Sequence, residues 1–447
     1  MRGKKNFIMP TRKRIRISEK QFSLAWQRLS QRKLTTVDGK HLRVIYPGRI
    51  NGDNGPDFRD AVIAVDESNL LKGDIEIHVK PSDWYSHRHH CDPEYNNVIL
   101  HVVAQHNAGL ATLTQNSKLV QELRLSCEPW YQAYLMPFHQ LPCFEITTLR
   151  GKQTLLKLLD VAGEERFKRK AALFRVSLNQ EEAGQVLFKS MMRALGYSKN
   201  TVPFEELARR APLNLIEKTE LRDGLALKQA WLLGTAALLP FQRPGRKFCK
   251  QREVQKLEQI WQSTSKGAKT MSEGDWHLSH VYPNNFPVRR IVAQSYLLQR
   301  YCREGLLVGM LQVVRGAPLV IGSHLLEEGL IVFGNGYWQE HFDFDIGAKT
   351  KKSALLGHGK TAEIMVNVIL PFVFAWGEIT GELGLKEKAI EFYSHYPKLA
   401  ENEITRHMAR QLCLESVSGF TACHQQGLIH IYRNYCREGR CSECPLV

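Results

Sequence analysis

No apolar run in this chain looks long enough to cross a membrane. The longest candidate, Val366 to Trp376, falls short of the roughly 20 residues a span needs and carries Pro371. No apolar segment follows the basic N-terminus, which argues against a secretory signal. The expectation is a soluble, cytoplasmic protein with no membrane partner. There is no repeat of fixed period, so a solenoid is not expected. A phosphate-binding nucleotide loop is missing as well. Gly357-His358-Gly359-Lys360-Thr361 ends like one, but the earlier glycine that the pattern requires is Ala354. Acid is in short supply: 45 Asp and Glu stand against 61 Lys and Arg, a net charge of +16. Such a surplus suits a polyanionic partner, because neutralised phosphates release counterions.

What is present is enough for two or three domains: 447 residues, 43% of them apolar. Seven positive charges and no acid fall in residues 1–16: Arg2, Lys4, Lys5, Arg12, Lys13, Arg14 and Arg16. This segment reads as a flexible basic tail, with an arm on a phosphate backbone as the alternative.

Ser18 to Arg32 reads as a helix, with Ser18 and Gln21 as a capping box and Phe22, Trp26 and Leu29 at helical spacing. Glu19 falls in its first turn. Short strands follow at Leu42 to Tyr46, Asp60 to Asp66 and Val98 to Val103, and a turn-rich loop runs from Asn51 to Pro56. From about Gly151 the apolar period becomes helical, as in Leu155 to Lys170, Leu221 to Leu239 and Thr361 to Ile379. The expected organisation is an α/β domain with a mixed sheet over residues 17–150, then a mainly α-helical domain over 151–447.

The most informative stretch is Gly73-Asp74-Ile75-Glu76-Ile77-His78-Val79-Lys80. Side chains along a strand alternate between faces. A strand here buries Ile75, Ile77 and Val79 and lines up Asp74, Glu76, His78 and Lys80 on the other face. Four ionisable groups in a row are costly unless something binds them, and a divalent metal resolves that cost. Asp57, after Pro56, lies at the start of the preceding strand. Two antiparallel strands can bring Asp57 and Glu76 together. Paired carboxylates suit Mg²⁺ or Mn²⁺, which fills its other positions with water and substrate phosphate. A basic group two residues past the acid could orient the water or steady the transition state.

Pro56-Asp57 followed by Glu76-Ile77-His78 resembles the signature of the PD-(D/E)XK nuclease superfamily over roughly residues 15 to 105. The resemblance implies a restriction-endonuclease-like fold, Asp57 and Glu76 as ligands to a divalent cation, and Glu19 as an additional metal-binding glutamate. His78 stands where that pattern has lysine, and Lys80, two residues on, could substitute for it in space. The runs GPDFRDAVI, GDIEIHVKPSDWYSHRHH, YNNVILHVV and QQGLIHIYRNYC, with the cysteine tail, look like an uncharacterised bacterial family, domain of unknown function two-eight-five-one. That likeness spans most of the chain and implies no established activity.

Six of the 17 histidines fall between His78 and His106. His87 and His89 or His90, with His78, Asp83 or His101, could bind zinc or manganese. Alternatively His87 or His101 could serve as a general base or a phosphate contact. His101 among aliphatic residues also fits a hydrogen-bonded core histidine. Trp84 and Tyr85 could stack on a base or simply pack.

Ten cysteines without a secretory signal argue against a disulfide framework. Most are scattered, but the C-terminus reads Cys436-x4-Cys441-x2-Cys444-Pro445. Three cysteines in nine residues suggest a zinc or iron–sulfur site. Cys423 is the first candidate for a fourth ligand, with Cys413 and His424 behind it.

These features point first to a metal-dependent nuclease cleaving DNA or RNA, with Asp57 and Glu76 as ligands, His78 or Lys80 in the lysine role, and Glu19, His87 and His101 in support. The alternatives are a metallohydrolase of another substrate centred on the histidines, and a nucleic-acid-binding or assembly protein with an inactive nuclease fold.

Overall fold

The structure is a computed structural model. It describes residues 19–447 apart from 28, 30–32, 67–68, 106–110, 126–140, 142, 144–150, 219–223, 244–250, 280, 320–321, 345, 348–353 and 415–418. The basic tail, the Ser18 cap, Cys127, Cys249 and His106 lie outside the described residues. The chain divides into two compact units. One comprises residues 1–158, 401–418 and 428–447; the other comprises 159–400 and 419–427.

The first unit is built on a seven-stranded mixed sheet. Helix α1 (Glu19–Trp26) precedes β1 (Lys33–Thr35), β2 (His41–Tyr46), β3 (Arg49–Ile50), β4 (Phe58–Val65) and β5 (Asn69–His78). A one-turn helix, α2 (Asp83–Ser86), then leads to β6 (Val98–Val103) and β7 (Gln121–Arg124). The order is β1-β2-β4-β5-β6-β7, with β3 on β4. Pairings up to β5 are antiparallel; β5–β6 and β6–β7 are parallel. Strand alternation sends Ile75 and Ile77 to one face, where they pack with Val44, Ile63, Leu100 and the α1 residues Phe22 and Trp26. Each such fully buried side chain contributes about 1.5–3 kcal/mol of transfer free energy.

The order of residues in β4 is broken once. Phe58 pairs Ile75, but Ala61 pairs Gly73, so β4 carries one extra residue. Asp60 sits at that bulge with φ +60°. The bulge resets the register and leaves Asp57 opposite Glu76 at the head of the strand pair.

Segments 401–418 and 428–447 belong with the sheet, not with the helical unit as the sequence reading had it. They return far along the chain, so no local pattern announces the association. Tyr432 Oη donates to Asp60 Oδ2 at 2.6 Å, Tyr46 hydrogen-bonds His407, and Arg49 and Lys72 pair with Glu403 and Glu438. Gly439, at φ +70°, lies against Val62 and Ile45, where a Cβ would come within 2.9 Å of Val62 Cγ1.

Among the described residues the second unit is mainly helical, with a two-stranded hairpin of His341–Asp343 with Ile346–Gly347. Its core gathers side chains such as Phe167, Phe188, Leu232, Ile291, Met365 and Phe372. One of its helices, His358–Thr380, is 23 residues and apolar enough to cross a membrane, longer than the sequence suggested, and 72% of its most apolar window is buried inside the protein. A π-turn at Met365–Ile369 lets this helix run through Pro371, whose ring would otherwise clash with the preceding turn. Lys360, in the segment that mimics a nucleotide loop, has its ammonium 2.9 Å from Glu363 Oε2 and 3.8 Å from the centre of the Tyr197 ring.

Candidate metal centre

The polar face of β5 carries the site. Asp57 and Glu76 are locked to each other's strand. The Asp57 backbone N–H donates to Glu76 Oε2, and the Ile77 backbone N–H donates to Asp57 Oδ2, each at 3.0 Å. Burial pushes both carboxyls up. Asp57 reaches about 7, helped by the Glu76 charge, and Glu76 reaches about 8, with the Glu19 carboxylate of α1 adding to both shifts. Without a cation such a pair holds protons at neutral pH; a bound cation inverts that preference.

Imidazoles face these carboxyls. His78 Nε2 lies 3.4 Å and His89 Nε2 3.2 Å from Glu76 Oε1. The His89 contact lacks hydrogen-bond geometry, so Nε2 is buried without a hydrogen-bond partner. One nitrogen from each of His78, His87 and His89 can be chosen so that all three lie within 4.8 Å of one another. His87 is exposed at the mouth. Between His87 and His89, Arg88 takes φ +64°, ψ +26°. A left-handed non-glycine residue costs on the order of 1–2 kcal/mol, and this one turns the chain between the two imidazoles.

A second set of groups fixes these rings. His78 Nδ1 is 2.9 Å from His101 Nε2, and His101 Nδ1 is 3.1 Å from Thr112 Oγ1. The relay leaves His78 Nε2 aimed at Glu76. Burial and neighbouring imidazoles push His78 down to about 2 and His101 to about 3, so both stay neutral, the form that binds a metal. Tyr95 stacks on His89 at 3.9 Å, and Trp84 lies 5.5 Å from His89 and 5.3 Å from His101, ring centre to ring centre.

The donor set fits a divalent ion: three converging imidazoles, two carboxyls driven off their usual range, and one buried nitrogen, His89 Nε2, without a hydrogen-bond partner. Three imidazoles with carboxylate oxygen suit zinc or manganese better than magnesium, which prefers oxygen and water.

Not every expected residue gathers here. β5 ends at His78 and the chain bends through Val79 and Lys80 into Pro81. Lys80 therefore leaves the strand face; its side chain is exposed and its backbone N–H caps onto Asp83 Oδ2 at 3.2 Å. Asp74 stays on β5 but accepts from the Asp60 backbone N–H at 3.1 Å and lies 3.7 Å from Arg59. His90 packs on Tyr85 instead. Trp84 is wholly buried, with its indole N–H on the Leu113 carbonyl at 2.8 Å, and the Tyr85 hydroxyl donates to the Ala111 carbonyl at 2.5 Å. Trp84 therefore packs rather than presenting a face to a base. Tyr95 and Thr112 went unnoticed in the sequence, where nothing distinguishes them from loop residues. Cys423 lies in the helical unit, its thiol directed at the Asp160 carbonyl at 3.6 Å, and His424 Nε2 lies 3.1 Å from Asp160 Oδ1.

Residues 19–403 match the family described as a protein of unknown function (DUF2851). The chain belongs to this family. Neither a curated protein nor a solved structure matches it. The DUF2851 match takes in α1, every strand of the sheet and all the residues of the candidate metal centre.

Proposed function

We propose that this DUF2851 protein is a metal-dependent phosphodiesterase that cleaves nucleic acid. The observation that carries the reading is the convergence of His78, His87 and His89 beside Glu76 at the polar face of β5, with Asp57 hydrogen-bonded into the same strand pair and both carboxyls held ready to exchange protons for a cation. A bound divalent ion would acidify a water and steady charge on a phosphoryl oxygen. Asp57, Glu76, His78 and His89 would hold that ion; His101 and Thr112 would orient His78, and Glu19 would add negative charge from α1. His87, exposed at the mouth, is placed to take a proton from the attacking water or to complete the ligand set. The surplus of 61 basic over 45 acidic residues favours a polyanionic substrate. The restriction-endonuclease-like likeness rests on Pro56-Asp57, Glu76 and the helix that precedes the strands, and the mixed sheet is compatible with it.

One observation favours a second reading. Three imidazoles are more than a magnesium-dependent nuclease needs, and they suit a zinc or manganese hydrolase of another substrate. A single experiment separates the two. Purified protein is incubated with single- and double-stranded DNA and RNA, each with Mg²⁺, Mn²⁺ or Zn²⁺, beside Asp57→Ala. Metal-dependent cleavage that disappears in the variant supports the nuclease. Metal bound at the histidines with no cleavage of any nucleic acid moves the assignment to the second reading. Binding to nucleic acid with neither metal nor cleavage leaves only an inactive descendant of the fold.

A further inference from the structure

The C-terminal cysteines lie in the sheet-bearing unit, and they have company there. Cys143, Cys436, Cys441 and Cys444 line one small pocket, closed by Tyr46 and Gln411 among others. All four are free thiols; three are buried and Cys441 is half-buried. Burial raises each thiol above its ordinary value, and for three of them neighbouring thiols of the same pocket push in the same direction. Cys436 is raised further by Cys143, Cys444 and Cys441, and Cys444 by Cys143 and Cys441.

We propose that Cys143, Cys436, Cys441 and Cys444 form a four-thiolate site for a thiophilic metal centre, either one zinc ion or an iron–sulfur cluster. The site is separate from the histidine–carboxylate centre, and the inference does not depend on the function proposed for it.

Three features beyond clustering support the assignment. First, four thiols of one small pocket come from two distant parts of the chain, and Cys436, Cys441 and Cys444 are brought round by consecutive turns. The turn Glu438–Gly439 rests against the sheet, and the 3₁₀ turn Cys441–Glu443 follows. Secondly, donors already point at the sulfurs. Gln411 Nε2 is 3.2 Å from Cys143 Sγ, and the backbone N–H groups of Leu446 and Val447 favour the thiolate of Cys444. N–H groups directed at sulfur are what the outer shell of a metal thiolate provides. Thirdly, no disulfide competes for these sulfurs among the described residues. The metal would tie the C-terminal segment to the sheet. Closing so long a loop removes conformational freedom from the unfolded chain and stabilises the folded unit.

The test uses the full chain, purified without oxygen and without added metal. Zinc, iron and acid-labile sulfide are counted per chain, and the visible absorption spectrum is recorded, in wild type, Cys143→Ser and Cys423→Ser. Metal at the histidines is common to all three, so the difference between wild type and variant reports the thiolate site. The expected result is a loss of one zinc, or of all cluster iron and sulfide with the visible absorption, in Cys143→Ser alone. Zinc without sulfide identifies the ion; iron with sulfide identifies the cluster. If Cys143→Ser does not fold, alkylation of folded wild type followed by mass mapping replaces it. Cys143, Cys436, Cys441 and Cys444 should then be protected together and exposed together when the metal is removed. Full metal content in Cys143→Ser, loss in Cys423→Ser instead, or a wild type with neither zinc nor iron and four freely alkylated thiols overturns the proposal.

Discussion

Asp57 and Glu76 accept hydrogen bonds across the strand pair: Glu76 from the Asp57 backbone, and Asp57 from the Ile77 backbone, which adjoins Glu76. The same two carboxyls are therefore structural acceptors and candidate ligands, and different substitutions separate the roles. Glu76→Gln keeps an oxygen for the Asp57 N–H; Glu76→Ala removes it. Stranding a buried N–H costs about 1–3 kcal/mol. Both variants should lose metal-dependent cleavage, by about a hundredfold or more, whereas only Glu76→Ala should lower the melting temperature of the metal-free protein. Thermal unfolding beside a cleavage assay checks this. Wild-type activity in Glu76→Gln removes Glu76 from the site.

The raised carboxyls predict a pH dependence. Glu76 at about 8 and Asp57 at about 7 hold protons in the metal-free fold that the unfolded chain gives up near pH 4–5. The folded state binds more protons between those limits, so the stability of the metal-free protein falls as pH rises from about 4.5 to about 8. Metal binding must displace the same protons, so apparent affinity rises over pH 6 to 8. Titration calorimetry in buffers of different ionisation enthalpy should show proton release on binding. In Glu76→Gln the release should shrink and the stability profile should flatten.

His101 is the residue through which His78 is aimed, and it should matter without touching the ion. Replacing it by alanine frees His78 Nδ1 and opens a buried gap beside Trp84. Loss of such an orienting partner typically costs about 10–100-fold in metal affinity. Thr112→Val, which removes only the far end of the relay, should cost less. A metal titration of both variants checks the ordering. Equal affinity in His101→Ala and wild type means that the relay does not orient the ligand.

Much of this site was legible because a strand has a period of two. That period alone placed Ile75 and Ile77 in the core and Glu76 and His78 opposite them. It failed at the ends. The row was expected to include Lys80, but Pro81 and the Asp83 carboxylate turn the chain after His78. Asp74 keeps its parity but is taken by Arg59 and the Asp60 backbone. Positions set by contacts distant in sequence left no pattern to read. Cys143 is a single cysteine about 300 residues before the cysteines that share its pocket. Cys423, nearer in sequence, sits on a helix of the other unit. The return of segments 401–418 and 428–447 to the sheet was hidden for the same reason, because it depends on pairs such as Tyr432 with Asp60.

The exposed position of Lys80 makes the last prediction the sharpest. The nuclease pattern expected from the sequence gives the residue two positions after the second acid an electrostatic role, and Lys80 was the nearest cation to fill it. Here the strand stops short of it, while His78 is buried, neutral and 3.4 Å from Glu76 Oε1. Lys80→Ala should therefore leave cleavage within about threefold of wild type, since an exposed lysine contributes little beyond general charge. His78→Ala should reduce cleavage by about a hundredfold or more and weaken metal binding in parallel, because it removes a ligand rather than a proton donor. Rates measured at saturating and limiting metal separate these effects. A His78→Ala rate restored by excess metal confirms a ligand role. The reverse pattern, with Lys80 essential and His78 dispensable, would mean that the loop after β5 folds back over the carboxylates when substrate binds.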